Sequence, residues 1–393
     1  MTTHDYRGWI ASALRWMLLF DACITVAFSL LTEIPVPVWN WPHCVLGMVV
    51  PEIGLFLAAL PIVFATSAWW LRKQHPWITG LTIALCAFAL VLFLKPVTQA
   101  QRVARALPGE LTSAFGPATP SRKAFSIVTA FKPAPTAVAT ETFNYTRDLL
   151  LDFYRPCGRH HAPCIINIHG GSWVSGNRKN DGTQRWLNDH LAQLGYAVAF
   201  MDYRLAPASK WPAQREDVRA AIAYLKSHAA ELDIDATRLV LLGRSAGGQM
   251  ALVAGYSSND PSIRGIISFY APSDFRLTWE GATHPENLDH RPNLELFLGG
   301  TPDTATDAYD SASAAILAHP GAPPTLLLHG RLDINVFHRE ADRLAQKLQA
   351  AKVPHAVVTL PWAAHAFDLV NFNSPGAQVS TCAVEWFIEA TTK

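Results

Sequence analysis

The stretch Arg238-Leu239-Val240-Leu241-Leu242-Gly243-Arg244-Ser245-Ala246-Gly247-Gly248, continuing as Gln249 to Tyr256, decides how the rest of the chain is read. Its first part is an apolar run of strand length, and its last part is compatible with a helix. The chain must therefore turn sharply from strand to helix with Ser245 at the apex. Glycines flank the serine because such a turn is strained and packs its backbone closely. The geometry lifts the hydroxyl out of a sheet and leaves the Ala246 amide available to an oxyanion. A glycine-rich turn without chemistry has the same local pattern, so the surrounding sequence must separate the two.

Upstream, the β-like run Cys164 to Ile168 ends in His169-Gly170-Gly171-Ser172-Trp173. Glycines there would keep side chains clear of a substrate carbonyl; the resemblance of this loop to the HGG-type loop of α/β-hydrolases implies that the amides of Gly170 and Gly171 join that of Ala246 as oxyanion donors. Downstream, Thr325 to Leu328 leads into His329-Gly330-Arg331-Leu332-Asp333, and Ala356 to Leu360 leads into a loop with His365 and Phe367. A serine hydroxyl is a poor nucleophile at neutral pH. His365 is expected to take its proton and return it to the leaving group, with Asp333 holding the imidazole tautomer. Asp274, after the strand-like Ile263 to Tyr270, is the substitute acid. His329 is expected to cap its strand end and His169 to order its loop.

On these residues the region from about Val138 to the C-terminus resembles the α/β-hydrolase superfamily. Within it the segment is similar to the hormone-sensitive-lipase-like and feruloyl-esterase-like carboxylesterases. Five landmarks carry the resemblance: HGGSW at His169, Asp202 to Pro207, GRSAGG at Gly243, HGRLD at His329, and His365-Ala366-Phe367. The order Ser245, Asp333, His365 is also that of the fold. HGGS followed by Trp173, and Arg244 where an acidic residue is usual, tilt the match toward the HGGxW group. That group resembles bacterial esterases, prenylcysteine methylesterase and kynurenine formamidase.

The resemblance implies a mostly parallel sheet covered by helices on both faces, and an acyl-enzyme on Ser245 formed from a small-molecule or lipid-like ester. Trp173 is placed to wall the substrate pocket, with a core role as the alternative. Tyr203 and Arg204 are expected to organise the loop beneath the site, and Arg244 to form a salt bridge at the turn. The triad does not discriminate leaving groups, so an amidase, a formamidase or a prenylcysteine-methylesterase-like hydrolase fits the same residues. A non-catalytic membrane scaffold on a hydrolase fold is the alternative from another class.

At 393 residues and a formal charge of +1, the chain exceeds one hydrolase domain and lacks the basic patch that a nucleic-acid partner requires. Its apolar residues are unevenly spread. Ile53 to Leu71 and Trp77 to Leu94 contain no charge, and Ala11 to Leu31 is interrupted only by Arg15 and Asp21. At about 1.5 Å per residue each is long enough, or nearly so, for a hydrocarbon core of about 30 Å. Three transmembrane helices are expected, joined by the loop Thr32 to His43 and the turn Arg72 to Pro76. Arg15 is expected to snorkel and Asp21 to face the other helices.

The first loop has no lysine or arginine, whereas Arg7, Arg72 and Lys73 lie on the other side. This predicts a cytoplasmic N-terminus and an extracytoplasmic hydrolase, against the contrary signal of Lys95, Arg102 and Arg105. Val97 to Leu107 has amphipathic spacing, and reads either as a surface helix or as a continuation of the third span. From Pro108 to Thr140 the composition is that of a linker. The expected division is 1–96 transmembrane, 97–137 amphipathic segment and linker, and 138–393 hydrolase with a cap insertion at about 273–320.

Six cysteines make no disulfide framework. Cys23, Cys44 and Cys86 read as apolar fillers of the spans. Cys157 and Cys164 bracket a turn between two expected antiparallel strands, where an oxidising compartment allows a bridge. No residue set has zinc-ligand spacing, so neither metal nor cofactor is expected. The oligomeric state is not specified.

Overall fold

The apolar runs of the C-terminal region condense into one eight-stranded sheet in the computed structural model, which describes residues 3–34, 41–72, 75–179, 184–282 and 289–393. The strands are β1 (Thr140–Asn144), β2 (Leu150–Tyr154), β3 (Ala162–Ile168), β4 (Ala197–Met201), β5 (Ile234–Arg244), β6 (Ile263–Phe269), β7 (Thr325–Gly330) and β8 (His355–Leu360). Their order is β1-β2-β4-β3-β5-β6-β7-β8. β2 is antiparallel to both its neighbours, and the remaining pairs are parallel.

Strands β3, β4 and β7 are buried at every residue, which is why they read as unbroken apolar runs rather than alternating ones. Side chains of period two supply both faces. Leu239, Leu241 and Ile166 pack in one core with Met250 and Leu344. Val240, Leu242 and Ile165 pack in the other with Leu187, Trp386 and Phe387.

The helices around the sheet follow four helices from the N-terminal part: α1 (Thr3–Ser29), α2 (Trp41–Leu57), α3 (Ala59–Trp70) and α4 (Pro76–Phe115). Next come α5 (Gln184–Gln193), α6 (Ala213–Ser227), α7 (Ala229–Leu232) and α8 (Ala246–Tyr256). The insertion after β6 holds α9 (Phe275–Gly281), α10 (Arg291–Leu298), α11 (Thr306–Ala312) and α12 (Ala314–Leu317), and α13 (His338–Ala350) and α14 (Pro375–Thr391) complete the domain.

Several expectations need correction. β4 lies between β2 and β3, so Cys157 and Cys164 do not flank a hairpin turn. Both thiols are free, Cys157 exposed and Cys164 buried. The second expected span is not one straight helix: α2 and α3 meet at a bend of 52°. Pro61 explains the break, since it has no N–H to donate to the Leu57 carbonyl one turn earlier. Two helices, Trp9–Thr32 and α4, are long and apolar enough to cross a membrane, and the count reaches three only if the bent pair is one span.

Val97 to Leu107 continues the third apolar helix, and α4 runs on to Phe115 where a linker is expected. The helix continues because its apolar face finds a partner: Ala100, Leu107 and Leu111 are buried in the core that contains α14. The chain beyond it is tied to α14 through Thr119 N–H to Glu389, Ser121 N–H to Glu385 and Ser126 N–H to Gln378. Arg15 does not snorkel; it is 3% exposed and donates to the Leu71 carbonyl that ends α3. Residues 35–40 of the first loop, residues 73–74 of the turn, residues 283–288 of the insertion and the side chains of Arg7 and Cys44 lie outside the described residues.

Candidate active site

β5 delivers Ser245 at the sheet's C-terminal edge with φ 51° and ψ −120°, a backbone conformation that L-residues rarely adopt. The turn is held by Ser245 N–H to the Phe269 carbonyl (2.9 Å) and by Gln249 N–H to the Ser245 carbonyl (3.1 Å). A glycine is required at 247, because a Cβ there would lie 2.1 Å from the Ile168 carbonyl oxygen. That contact seats the start of α8 against the end of β3, which brings the turn beside the His169–Trp173 loop. Ala246 is the first residue of α8, where backbone amides lack intrahelical acceptors.

The loop after β3 is ordered from below. His169 Nδ1 lies 2.7 Å from the Gly170 carbonyl, and its ring stacks on Tyr203 at 4.1 Å. The Tyr203 hydroxyl donates to the His169 carbonyl at 3.1 Å. Burial lowers the His169 pKa, so this imidazole is held neutral. Arg204 is fastened to Asp217, donating to both carboxylate oxygens, and Asp217 also accepts from the Arg204 N–H. Tyr203 and Arg204 thus take the organising role expected of them.

Asp333 and His365 come together from the ends of β7 and β8. His365 Nδ1 is 2.7 Å from Asp333 Oδ2, while Asp333 Oδ1 accepts from the amides of Asn335 and Val336 at 2.9 Å each. Burial alone would raise the Asp333 carboxyl. The charge of His365 and hydrogen bonds from His329 and His365 outweigh it and hold the group well below the usual carboxylate range. His329 Nε2 reaches the Val336 carbonyl at 2.8 Å and closes the strand end. Asp274 faces elsewhere: it caps α9 through the amides of Arg276 and Leu277 and pairs with Arg343. Of the two candidate acids, the structure brings only Asp333 to His365.

Ser245 and His365 open onto one cavity of about 290 Å³, whose walls include Gly170, Gly171, Trp173 and His290. Trp173 is 4% exposed, stacked on Phe297 at 4.6 Å and donating to Gln249 at 3.0 Å. It therefore borders the cavity while also tying the insertion, through Phe297 of α10, to the His169–Trp173 loop. Arg244 forms the expected salt bridge, with Asp368 at 2.7 Å. Tyr270 also donates to Asp368, at 2.7 Å, and its ring centre lies 4.5 Å from that of His365. Burial, then the Asp368 charge, raises the Tyr270 pKa well above its ordinary value, so the phenol remains a donor.

Asp368, Tyr270 and His290 were not legible as site residues. Asp368 sits three positions beyond His365, but no local pattern pairs it with Arg244. Among the described residues, no cluster of His, Cys, Asp and Glu has the arrangement to hold a metal ion.

Residues 151–348 match the BD-FAE family. The chain is 34% identical over 240 residues to the probable carboxylic ester hydrolase LipM of Mycobacterium tuberculosis, covering 58% of this chain and 54% of LipM. The chain thus spans about half the length of that relative. Esterase LipQ of the same organism is 27% identical over 351 residues, 80% of this chain and 82% of LipQ. That share is larger than the hydrolase region alone can supply. Among solved structures, the thermostable metagenomic carboxylesterase EstE1 aligns with a TM-score of 0.58 at 21% identity, over 76% of this chain and 98% of its own. That likeness establishes an α/β-hydrolase fold.

Proposed function

The chain belongs to the BD-FAE family, and from that premise we propose that it is a membrane-anchored serine carboxylesterase that works through an acyl-enzyme on Ser245. The observation that carries the reading is the 2.7 Å contact of His365 Nδ1 with the buried Asp333 side chain, His365 itself lining the same cavity as the strained Ser245. With Nδ1 engaged, Nε2 is the nitrogen that takes the Ser245 proton as Oγ attacks the ester carbonyl. The negative charge that develops on the carbonyl oxygen falls to the amides of Gly170, Gly171 and Ala246, each such donor contributing about 3 kcal/mol to the transition state. His365 then passes its proton to the departing alkoxide. Water, deprotonated by the same imidazole, releases the carboxylic acid and restores the Ser245 hydroxyl.

The cavity volume, at the small end of the range for ligand sites, favours short acyl groups. Anchoring is supported by the two helices of spanning length and apolarity. With the bent pair α2 and α3 counted as one further span, the basic-free segment Thr32 to His43 supports an extracytoplasmic catalytic domain. Lys95, which with Arg102 and Arg105 argues the opposite, is paired with Glu33 just beyond the end of α1, on the side of the basic-free segment.

The test is hydrolysis by the full-length chain in detergent of p-nitrophenyl esters of increasing acyl length, beside the matched anilide. The expected result is turnover of the esters with kcat/KM greatest at about two to six carbons and little turnover of the anilide. Preference for the anilide would make the protein an amidase, and a steady rise to long chains would make it a lipase.

A further inference from the structure

Glu52 lies in α2 between apolar neighbours, Val49, Val50 and Pro51 before it and Ile53 after it, yet it is only 1% exposed. A carboxylate is costly to bury unless its oxygens find donors. Here both donors come from the catalytic domain. Oε1 accepts from the indole Nε1 of Trp362 at 3.0 Å, and Oε2 accepts from the Gly376 amide at 2.8 Å. Trp362 is itself fully buried, three residues before His365, and Gly376 belongs to the first turn of α14, whose amides have no intrahelical partner. Only glycine admits this approach at 376. A Cβ there would stand 2.7 Å from Glu52 Oε1 and 2.8 Å from the Phe367 ring.

The two anchor points bracket the segment that carries His365 and Asp368. Its inner side is held by the bonds of Arg244 and Tyr270 to Asp368. Its outer side meets Glu52. The histidine segment is therefore clamped between the serine turn and a residue contributed by the N-terminal helices.

We propose that Glu52 is a positioning residue for the reaction, and that the N-terminal helices complete the active-site scaffold as well as anchoring it. The proposal rests on the reading of Ser245 and His365 as the reacting pair. An imidazole must be held within about half an ångström of its working position, and displacement by about 1 Å costs about a hundredfold in rate. Without Glu52, the Trp362 indole and the Gly376 amide lose their acceptors, and the segment between them is released.

The test uses full-length Glu52→Ala, Glu52→Gln, Trp362→Phe and the Glu52→Ala/Trp362→Phe double variant, purified in detergent. Glu52→Ala is expected to lower kcat on a short p-nitrophenyl ester by about tenfold to a hundredfold with KM within about twofold of wild type. Glu52→Gln, which retains an acceptor for Trp362, is expected to recover part of the loss. The double variant should be no slower than Glu52→Ala alone, because Glu52→Ala already removes the contact that Trp362→Phe breaks. Hydrogen exchange, which needs no activity, should show residues 362–376 exchanging at least about tenfold faster in Glu52→Ala, with β5 and β6 unchanged.

Wild-type kcat in a folded Glu52→Ala protein, multiplying effects in the double variant, or unchanged exchange at 362–376 would overturn the proposal. If Glu52→Ala does not fold, Glu52→Gln and Trp362→Phe carry the same comparison. A wild-type protein inert on every ester would instead overturn the esterase reading, and the exchange measurement would still decide whether Glu52 fastens the segment.

Discussion

The helical region and the catalytic domain put the same residue types on opposite sides of their surfaces. Around the sheet, Phe153, Phe200, Phe387 and Trp362 are fully buried. In the N-terminal helices, Trp70 is 82% exposed and Val91 65%, and Trp9 and Phe20 also face outward. Polar groups are reversed as well, with Arg15, Thr25, Ser29 and Thr82 all buried. Water drives apolar groups inward in one half, whereas the other half has the outward apolar face and inward polar groups suited to lipid. The lesson is that burial must be judged against the solvent each half expects. The two halves are also mechanically joined, through α4 against α14 and through Glu52.

The largest effect expected within the catalytic half separates the two acids. Asp333→Asn should lower kcat by about ten-thousandfold, because the imidazole loses its orienting acceptor, whereas Asp274→Asn should cost under about tenfold. The opposite ranking, measured on folded variants, would move the acid to Asp274. Next comes the ion pair beneath the serine. Arg244→Leu leaves Asp368 buried without its charge partner and should destabilise the domain by about 3–5 kcal/mol, read as a lowered Tm in detergent. An unchanged Tm would show that Tyr270 alone satisfies the carboxylate.

The contrast of surfaces is tested by adding one charge to each. Val91→Lys places it on the outward face of α4, at a cost in lipid of about 2.5–3.5 kcal/mol, and should reduce the membrane-bound fraction of the protein. Thr142→Lys, on the edge strand β1, should leave it unchanged. Equal behaviour of the two variants would remove the case for a lipid-facing helical region.

The smallest effect is on acid stability. The folded-state pKa of Asp333 lies below its unfolded value of about 3.9, so its stabilisation is complete above that pH and is lost as pH falls through the folded value. Asp333→Asn should therefore flatten the acid limb of the stability curve below about pH 4. An identical limb in the variant would contradict the pairing.

The serine turn, the HGG loop and the ends of β7 and β8 were readable because each is a short run in which strand, glycine and reactive residue are adjacent. The order β2-β4-β3 was not, since nothing local to Cys157 or Cys164 reports which strand lies between them. The break at Ala58 was hidden by uniform apolarity, although Pro61 marks the place. Arg244 was expected to find a salt bridge, but Asp368, its partner, is brought near only by the fold, as are Trp362 and Gly376 to Glu52. Val97 to Leu107 had the spacing of a helix but no indication of which surface its apolar stripe would cover.

The most direct measurement is to label the full-length protein in detergent with a fluorophosphonate and to map the modified residue by peptide mass spectrometry. A stoichiometric adduct on Ser245, absent from the Ser245→Ala variant and accompanied there by at least about a thousandfold loss of kcat, is the predicted result. An unlabelled Ser245 in a protein that still turns over esters, or an adduct on another residue, would contradict the account.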